Sequence, residues 1–90
     1  MQNSTDAGLK IITVVIPNWN GMRWLESRLQ SLSNQNFDTV IINNGSTDGS
    51  VPFIKENYPQ IKVTCLARNA GFANAVNIGI EKSTPPYVVL

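Results

Sequence analysis

The chain contains no histidine. That absence removes the commonest general base and metal ligand, and with them Ser-His-Asp, Cys-His and zincin chemistry within this chain. A single cysteine, Cys65, rules out an internal disulfide, and its place in the apolar run Val63 to Leu66 reads as a small buried core side chain. Charge is sparse as well. Only 14% of residues are Asp, Glu, Lys or Arg, the net charge is +1, and the scattered Lys and Arg residues form no basic stripe, which argues against nucleic acid as a partner. No apolar run approaches the roughly 20 residues that cross a bilayer, and the polar segment Met1 to Gly8 lacks a basic-then-apolar signal pattern. A cytoplasmic, unanchored chain is expected. Asp48 is the last aspartate, so any catalysis would have to rest on few carboxylates.

What is present is an ordinary globular composition, 42% hydrophobic over 90 residues. A chain of this length forms one small domain that buries only about 60% of its unfolded surface. The division expected is a flexible leader over residues 1–9 and an α/β domain over residues 10–90. Lys10 to Ile16 is a β-branched run, apolar on both faces, as in a strand covered by helices on each side, and Pro17 is expected to end it. From Asn20 to Ser33 the residues Met22, Leu25, Leu29 and Leu32 recur at helical spacing, with Asn20 or Asn18 as the cap. A second strand, Thr39 to Ile42, leads to a second helix capped by Ser46, Thr47 or Asp48, whose face carries Val51, Ile54 and Tyr58. Ile61 to Leu66 is a third strand. Ala70 to Lys82 is a third helix with Phe72, Ala75, Val76 and Ile80 on one face, and Tyr87 to Leu90 begins a fourth strand. Strands alternating with helices at this rhythm predict right-handed crossovers and a mainly parallel sheet.

Ligands of such sheets sit beyond the carboxyl ends of the strands. Three loops meet there: Pro17-Asn18-Trp19-Asn20-Gly21, Asn43 to Ser50, and Ala67-Arg68-Asn69-Ala70-Gly71. The first offers a ring and amides. The second offers Asn43, Asn44, Ser46 and Asp48, amides, a hydroxyl and one carboxylate at a helix start. The third places Arg68 and Asn69 beside a helix N-terminus that Gly71 opens. Together they suit a nucleoside diphosphate, with something flat for the base, polar groups for the ribose, and a guanidinium with helical N–H groups for phosphate. Taken singly, Asn43 to Ser50 also reads as a capped turn, Arg68 as a solvated charge and Trp19 as a ring lying over the first helix. The spacing Gly45-x-x-x-Gly49 lacks the Lys-Ser/Thr of a phosphate loop and the fingerprint of a dinucleotide site, which argues against ATPase and NAD functions.

In its wording the chain resembles the N-terminal part of a family-2 glycosyltransferase with the GT-A fold. The segments that carry the resemblance are Val14 to Gly21, Leu25 with Leu29-x-Ser31-Leu32-x-x-Gln35, Asn44 to Ser50, Asn69-x-Gly71-Phe72-x-x-Ala75-x-Asn77-x-Gly79, and Tyr87 to Leu90. They follow in family order and spacing. The rhamnosyltransferase-like branch is the most similar, through Pro-Asn-Trp-Asn-Gly and Asn-Ala-Gly-Phe-Ala. The resemblance implies a three-layer α/β/α, Rossmann-like half with strand order 3-2-1-4 and a donor site for a UDP- or dTDP-linked sugar. Pro17, Asn18 and Trp19 would line the base, Asn43 and its neighbours would contact base and ribose, and Arg68 to Gly71 would lie near the diphosphate.

Two departures from the family pattern bear on activity. Asn43 stands where the family usually has an aspartate, so charge-assisted hydrogen bonding to the base is lost and altered nucleotide selection is expected. The Asp-x-Asp-type motif that holds Mg²⁺ or Mn²⁺ in the full-length family enzyme is not in the sequence, nor are its catalytic base and acceptor site. No residue of this chain is therefore assigned to a metal or to catalysis, and the isolated chain is expected to be inactive. A non-catalytic nucleotide-binding or dimerisation module of the same fold is the alternative. A flavodoxin-like or response-regulator-like domain is disfavoured by the missing acidic phosphoacceptor cluster. Tyr87 to Leu90, as an apolar edge, would invite pairing with a second copy.

Overall fold

The computed structural model describes residues 12–90, so the expected leader and the strand start at Lys10 lie outside the described residues. Seven elements follow one another: β1 (Thr13–Asn18), α1 (Met22–Ser33), β2 (Asp38–Asn43), α2 (Ser50–Asn57), β3 (Lys62–Cys65), α3 (Phe72–Glu81) and β4 (Tyr87–Val89). The strands form one sheet in the order β3-β2-β1-β4, and all three pairings are parallel. Both the alternation of elements and the strand order agree with the expectation from sequence.

The two central strands explain why their sequences are apolar on both faces. Val14, Ile16 and Ile41 pack with Leu25 and Leu29 of α1 and Ile54 of α2. The intervening Val40 and Ile42 turn the other way and pack with Ala75 of α3. The period-2 alternation of a strand thus feeds two cores, and the result is three layers, with α1 and α2 on one face and α3 on the other. Each fully buried Leu or Ile in these clusters contributes roughly 1.5–3 kcal/mol relative to its exposed state. The helix crossovers turn the chain back each time, so every strand ends at the same rim.

Three local expectations are corrected. Pro17 does not end β1, which continues to Asn18 and pairs with β2 as far as Asn18↔Asn43. The N–H of Thr13 bonds to Pro86 and the carbonyl of Val15 accepts from Leu90, so odd positions of β1 face β4. Pro17 shares that orientation, beyond the last register pair Val15↔Val89, and its missing N–H breaks no ladder bond. Cys65 is exposed rather than buried, because β3 is an edge strand and α3 lies over β1 and β2, leaving the end of β3 uncovered. Phe72 is also exposed, at 67%, although it falls in phase with Ala75 and Gly79. It is the first residue of α3 and overhangs the rim, where no sheet lies beneath it.

Among the described residues β4 pairs with β1 alone, and Val88 and Leu90 are half-exposed. No described helix is long and apolar enough to cross a membrane.

Candidate functional site

The loop after β2 joins the two loops on either side of it. Toward the first loop, the Asn18 amide Nδ2 donates to Asn43 Oδ1 (3.2 Å), Ser46 Oγ (3.2 Å) and Ser50 Oγ (3.0 Å), all in or near the interior. The backbone N–H of Asn20 donates to Ser46 Oγ at 2.9 Å, and that of Thr47 donates back to Asn20 Oδ1 at 2.8 Å. Asn20 adopts φ 50°, a left-handed conformation that asparagine tolerates better than most residues, and this turns its side chain toward the neighbouring loop. Neither Asn18 nor Asn20 caps α1, contrary to expectation. Asp48 does so from the other loop: Oδ2 accepts the N–H of Met22 at 2.9 Å, while Oδ1 accepts the N–H of Ser50 at 3.0 Å. One carboxylate therefore serves the first turns of both α1 and α2, where helix dipoles favour negative charge.

Toward the third loop the connection runs through Asn44, a buried residue with 4% exposure. Its Oδ1 accepts the N–H of Ala70 at 2.7 Å and its Nδ2 donates to the carbonyl of Gly71 at 3.2 Å. The next residue, Gly45, lies against the backbone of Arg68 and Asn69. Asn69 Oδ1 in turn accepts the N–H of Gly71 at 2.8 Å, which closes the turn into α3.

Between these joined loops lies a cleft of about 210 Å³ lined by Pro17, Asn18, Trp19, Asn44, Asn69 and Phe72. Five of its six lining residues are ones the sequence singles out as nucleotide-binding candidates. A second hollow of about 170 Å³, between Trp19, Trp24 and Arg28, shares its Pro17-Asn18-Trp19 wall. Two larger hollows lie elsewhere. One of about 390 Å³ is bounded by Arg28, Leu32 and Leu90, and one of about 300 Å³ lies at the opposite end of the sheet between Leu29, Phe37 and Tyr58. Position outweighs size here, because the 210 Å³ cleft opens at the carboxyl ends of the strands, where rings and amides from all three loops converge.

The remaining candidates occupy other places. Asn43 is buried beneath the cleft and Ser46 and Asp48 lie in the hydrogen-bonded joint, so these three support the site from behind. Arg68 is exposed at the rim, beside the start of α3. Gly71, the N-cap residue of α3, provides no side-chain cap, so among the described residues the first turn of this helix has N–H groups without a side-chain acceptor, whereas Asp48 serves those of α1 and α2. Phe72 is the one cleft residue that the sequence reading leaves out of the site. The available signal was its position at the very start of a helix, immediately after a loop already assigned to the ligand.

The sequence matches a known family over nearly all of the described residues. Residues 13–90 match the family model described as Glycosyl transferase family 2. The chain belongs to this family. It is 39% identical, over 98% of its own length, to the uncharacterized glycosyltransferase YibD of Escherichia coli, and it covers 26% of that protein. It is 31% identical, over 84% of its length, to the teichoic acid poly(glycerol phosphate) polymerase of Staphylococcus epidermidis, of which it covers 12%. The chain thus spans about a quarter or less of these relatives. Among solved structures, the fold is similar to Staphylococcus aureus TarS residues 1–349 in complex with UDP, with a TM-score of 0.79 and 20% identity, covering 90% of this chain and 27% of that one. This likeness establishes the GT-A type of fold.

At the joint between the first two loops, Asp48 has a testable electrostatic signature. Burial works to raise its pKa, but hydrogen bonds from the Ser50 hydroxyl and from the backbone N–H groups of Met22, Ser50 and Asp48 outweigh it and hold the carboxyl below its ordinary value of 3.8. A depressed folded-state pKa means that the stabilisation is complete above pH 3.8 and is lost as the pH falls through the lower folded value. Asp48→Asn is therefore expected to lower stability at neutral pH by about 1 kcal/mol, the scale of one lost helix cap, since the site is exposed and screened. The gap should narrow as the pH falls below 3.8 and through the lowered folded-state value, where the wild-type carboxyl takes up its proton. Urea midpoints of both proteins along a pH series from neutral into that acid range test this; a gap of equal size throughout would exclude the carboxylate charge as its cause.

Proposed function

We propose that this chain is the donor-nucleotide half of a glycosyltransferase, which binds the nucleoside diphosphate of a UDP- or dTDP-linked sugar. The observation that carries the proposal is the cleft at the strand rim, where Trp19, Asn44, Asn69 and Phe72 converge from all three loops. Ring faces suit a base, and Arg68 with the open first turn of α3 suits the diphosphate. The complex of TarS with UDP supports the UDP reading. The wording of Pro17 to Gly21 and of Asn69 to Ala73, similar to rhamnosyltransferases, supports a dTDP-linked donor as well. A cytoplasmic site of action goes with this reading.

Each group has a defined task in this reading. The rings hold the base, Asn18 and Asn44 keep the loops at a fixed separation, and Arg68 balances the charge of the leaving diphosphate. Divalent cations, Mg²⁺ or Mn²⁺, would neutralise that diphosphate in the full-length family enzyme. The residues present do not form such a site: among the described residues no three His, Cys, Asp or Glu side chains gather. Asp48 is the one described carboxylate placed at the rim loops, and both of its oxygens accept helix N–H groups. We accordingly propose that the isolated chain binds donor without turning it over.

Titration of ¹⁵N-labelled protein with UDP is the direct test. The amides of Trp19, Asn44 and Asn69 to Phe72 are expected to shift together. Arg68→Ala is expected to weaken UDP several-fold while leaving uridine unchanged, because only UDP carries the diphosphate. Shifts confined to the hollow near Phe37 and Tyr58, or no shifts, would refute the assignment.

A further inference from the structure

We propose that the second hollow, across the Pro17-Asn18-Trp19 wall from the donor cleft, is a saccharide subsite in which Asn18, Trp19, Trp24 and Arg28 hold one sugar ring. The inference goes beyond the donor-site reading and is tested separately from it. Trp24 is the first sign. It lies off the stripe of α1 that carries the buried Leu25 and Leu29, it is 61% exposed, and it belongs to neither core cluster. Arg28 follows it at i+4, on the same side of the helix, and is exposed as well. The Arg23 guanidinium lies 5.3 Å from the centroid of the Trp24 ring, a cation–π contact that steadies it. Trp19, 58% exposed, reaches the hollow from the loop after β1. One exposed aromatic ring is common, whereas two that border a single hollow mark a surface suited to a partner.

The second observation is a buried oxygen. Asn18 is 4% exposed, and while its Nδ2 donates to Asn43, Ser46 and Ser50, its Oδ1 accepts no hydrogen bond among the described residues. Buried side-chain oxygens without a donor are uncommon in folded proteins. This one lies so close to Gly21 that a Cβ there would collide with it, and Gly21 lines the second hollow but not the donor cleft. The free acceptor therefore sits on the side of the second hollow. Beside it the hollow offers ring surface and a guanidinium, which only donates. A pyranose matches that set, because its C–H faces lie against aromatic rings while its hydroxyls donate to Asn18 Oδ1 and accept from Arg28. The volume of about 170 Å³, below the roughly 300–1,000 Å³ of a whole-ligand pocket, gives room for a single ring. A nucleotide base fits less well here, since Asn69 and Phe72 line the donor cleft and not this hollow.

Glucose and N-acetylglucosamine, each titrated into the ¹⁵N-labelled chain to about 50 mM, are the probes, since a single weakly held ring corresponds to dissociation constants on the order of 1–20 mM. Both sugars are expected to give saturating shifts of the Trp24 indole N–H and of the Asn18 side-chain amide. Trp24→Ala and Arg28→Ala should each weaken the sugars by about five-fold or more, whereas Trp24→Phe should retain binding. Because Trp24 and Arg28 are exposed and lie outside both cores, the variants are expected to keep wild-type circular dichroism. UDP should leave the Trp24 indole in place and shift Asn69 to Phe72 equally in wild type and variants. No saturating shift of the Trp24 indole with either sugar, or Trp24→Ala binding sugar like wild type, would overturn the subsite while leaving the donor site standing. A Trp24 indole that answers UDP instead of sugar would overturn it too, by assigning the hollow to the nucleotide.

Discussion

Gly45→Ala is expected to destabilise the protein by about 2–4 kcal/mol and to remove nucleotide binding. Two effects act together. Gly45 has φ +81°, a conformation that costs an L-residue roughly 1–2 kcal/mol. A Cβ built there would also lie 2.9 Å from the carbonyl carbon of Arg68 and 2.9 Å from the nitrogen of Asn69. Both neighbours are backbone and have no rotamer to change, so the third loop itself would have to retreat, at an overpacking cost of about 1–3 kcal/mol. That retreat pulls Ala70 and Gly71 away from Asn44, leaving buried amide groups unpaired, and it displaces Asn69 and Phe72 from the cleft. Gly49 separates the two causes. Its φ is +84° but nothing lies within 4 Å of its would-be Cβ, so Gly49→Ala should show the conformational cost alone, about 1–2 kcal/mol. Guanidinium midpoints of the two variants, with UDP titrations alongside, give the comparison. Equal midpoints for both would mean that the close approach of Gly45 to the third loop is unimportant.

The second large effect is expected at Gly79, on the opposite face of the sheet from α1 and α2. Gly79 is buried in α3, and a Cβ there would collide with Val15 Cγ1 and lie 3.2 Å from Ile42 Cγ1. Glycine in a helix interior is disfavoured by about 1 kcal/mol relative to alanine, so helix propensity alone argues for substitution. Packing decides otherwise. Val15 and Ile42 are fully buried, β-branched and stiff at χ1, and both belong to central strands that cannot shift without breaking parallel ladders on either side. Gly79→Val adds three carbons to this contact and recovers little propensity, for a net cost of about 2–3 kcal/mol or more. At this chain length, a loss of that size lowers the melting temperature by roughly 10–20 °C. A thermal scan of Gly79→Val at or above the wild-type melting temperature would show that α3 does not approach the sheet this closely.

Much of the fold was legible because the relevant signals are local. The β-branched runs Ile11 to Ile16 and Val40 to Ile42 have no polar face, which in a short strand means cover on both sides, and parallel pairing follows from the helical segments between them. Leu25 and Leu29, four residues apart, and Ile54 in the next helix announced the buried faces of α1 and α2, and each is now in the core. The convergence of the three loops followed from the same logic, since strands that all run one way must all end at one rim. Where the reading missed, a neighbour from elsewhere in the chain had intervened. Cys65 lies in an apolar run, but whether such a run is covered depends on where α3 comes to rest. Phe72 keeps the helical phase, but phase does not reveal that the sheet ends beneath it.

The division at the site has the same cause. The order of apolar and polar residues along the chain determined the element types, the parallel sheet and the rim at which loops meet, because those depend on periodicities within a few residues. Which polar groups remain to meet a ligand was decided only by tertiary structure. Asn18 and Asn43 are 25 residues apart, Met22 and Asp48 26, and Asn44 and Ala70 26. Those pairs exist because loop closure across the sheet brings them within 3.2 Å, and each bond formed takes an amide or carboxylate out of recognition and into scaffolding. The same closure brings Trp19 and Phe72, 53 positions apart in the sequence, to the lining of one cleft.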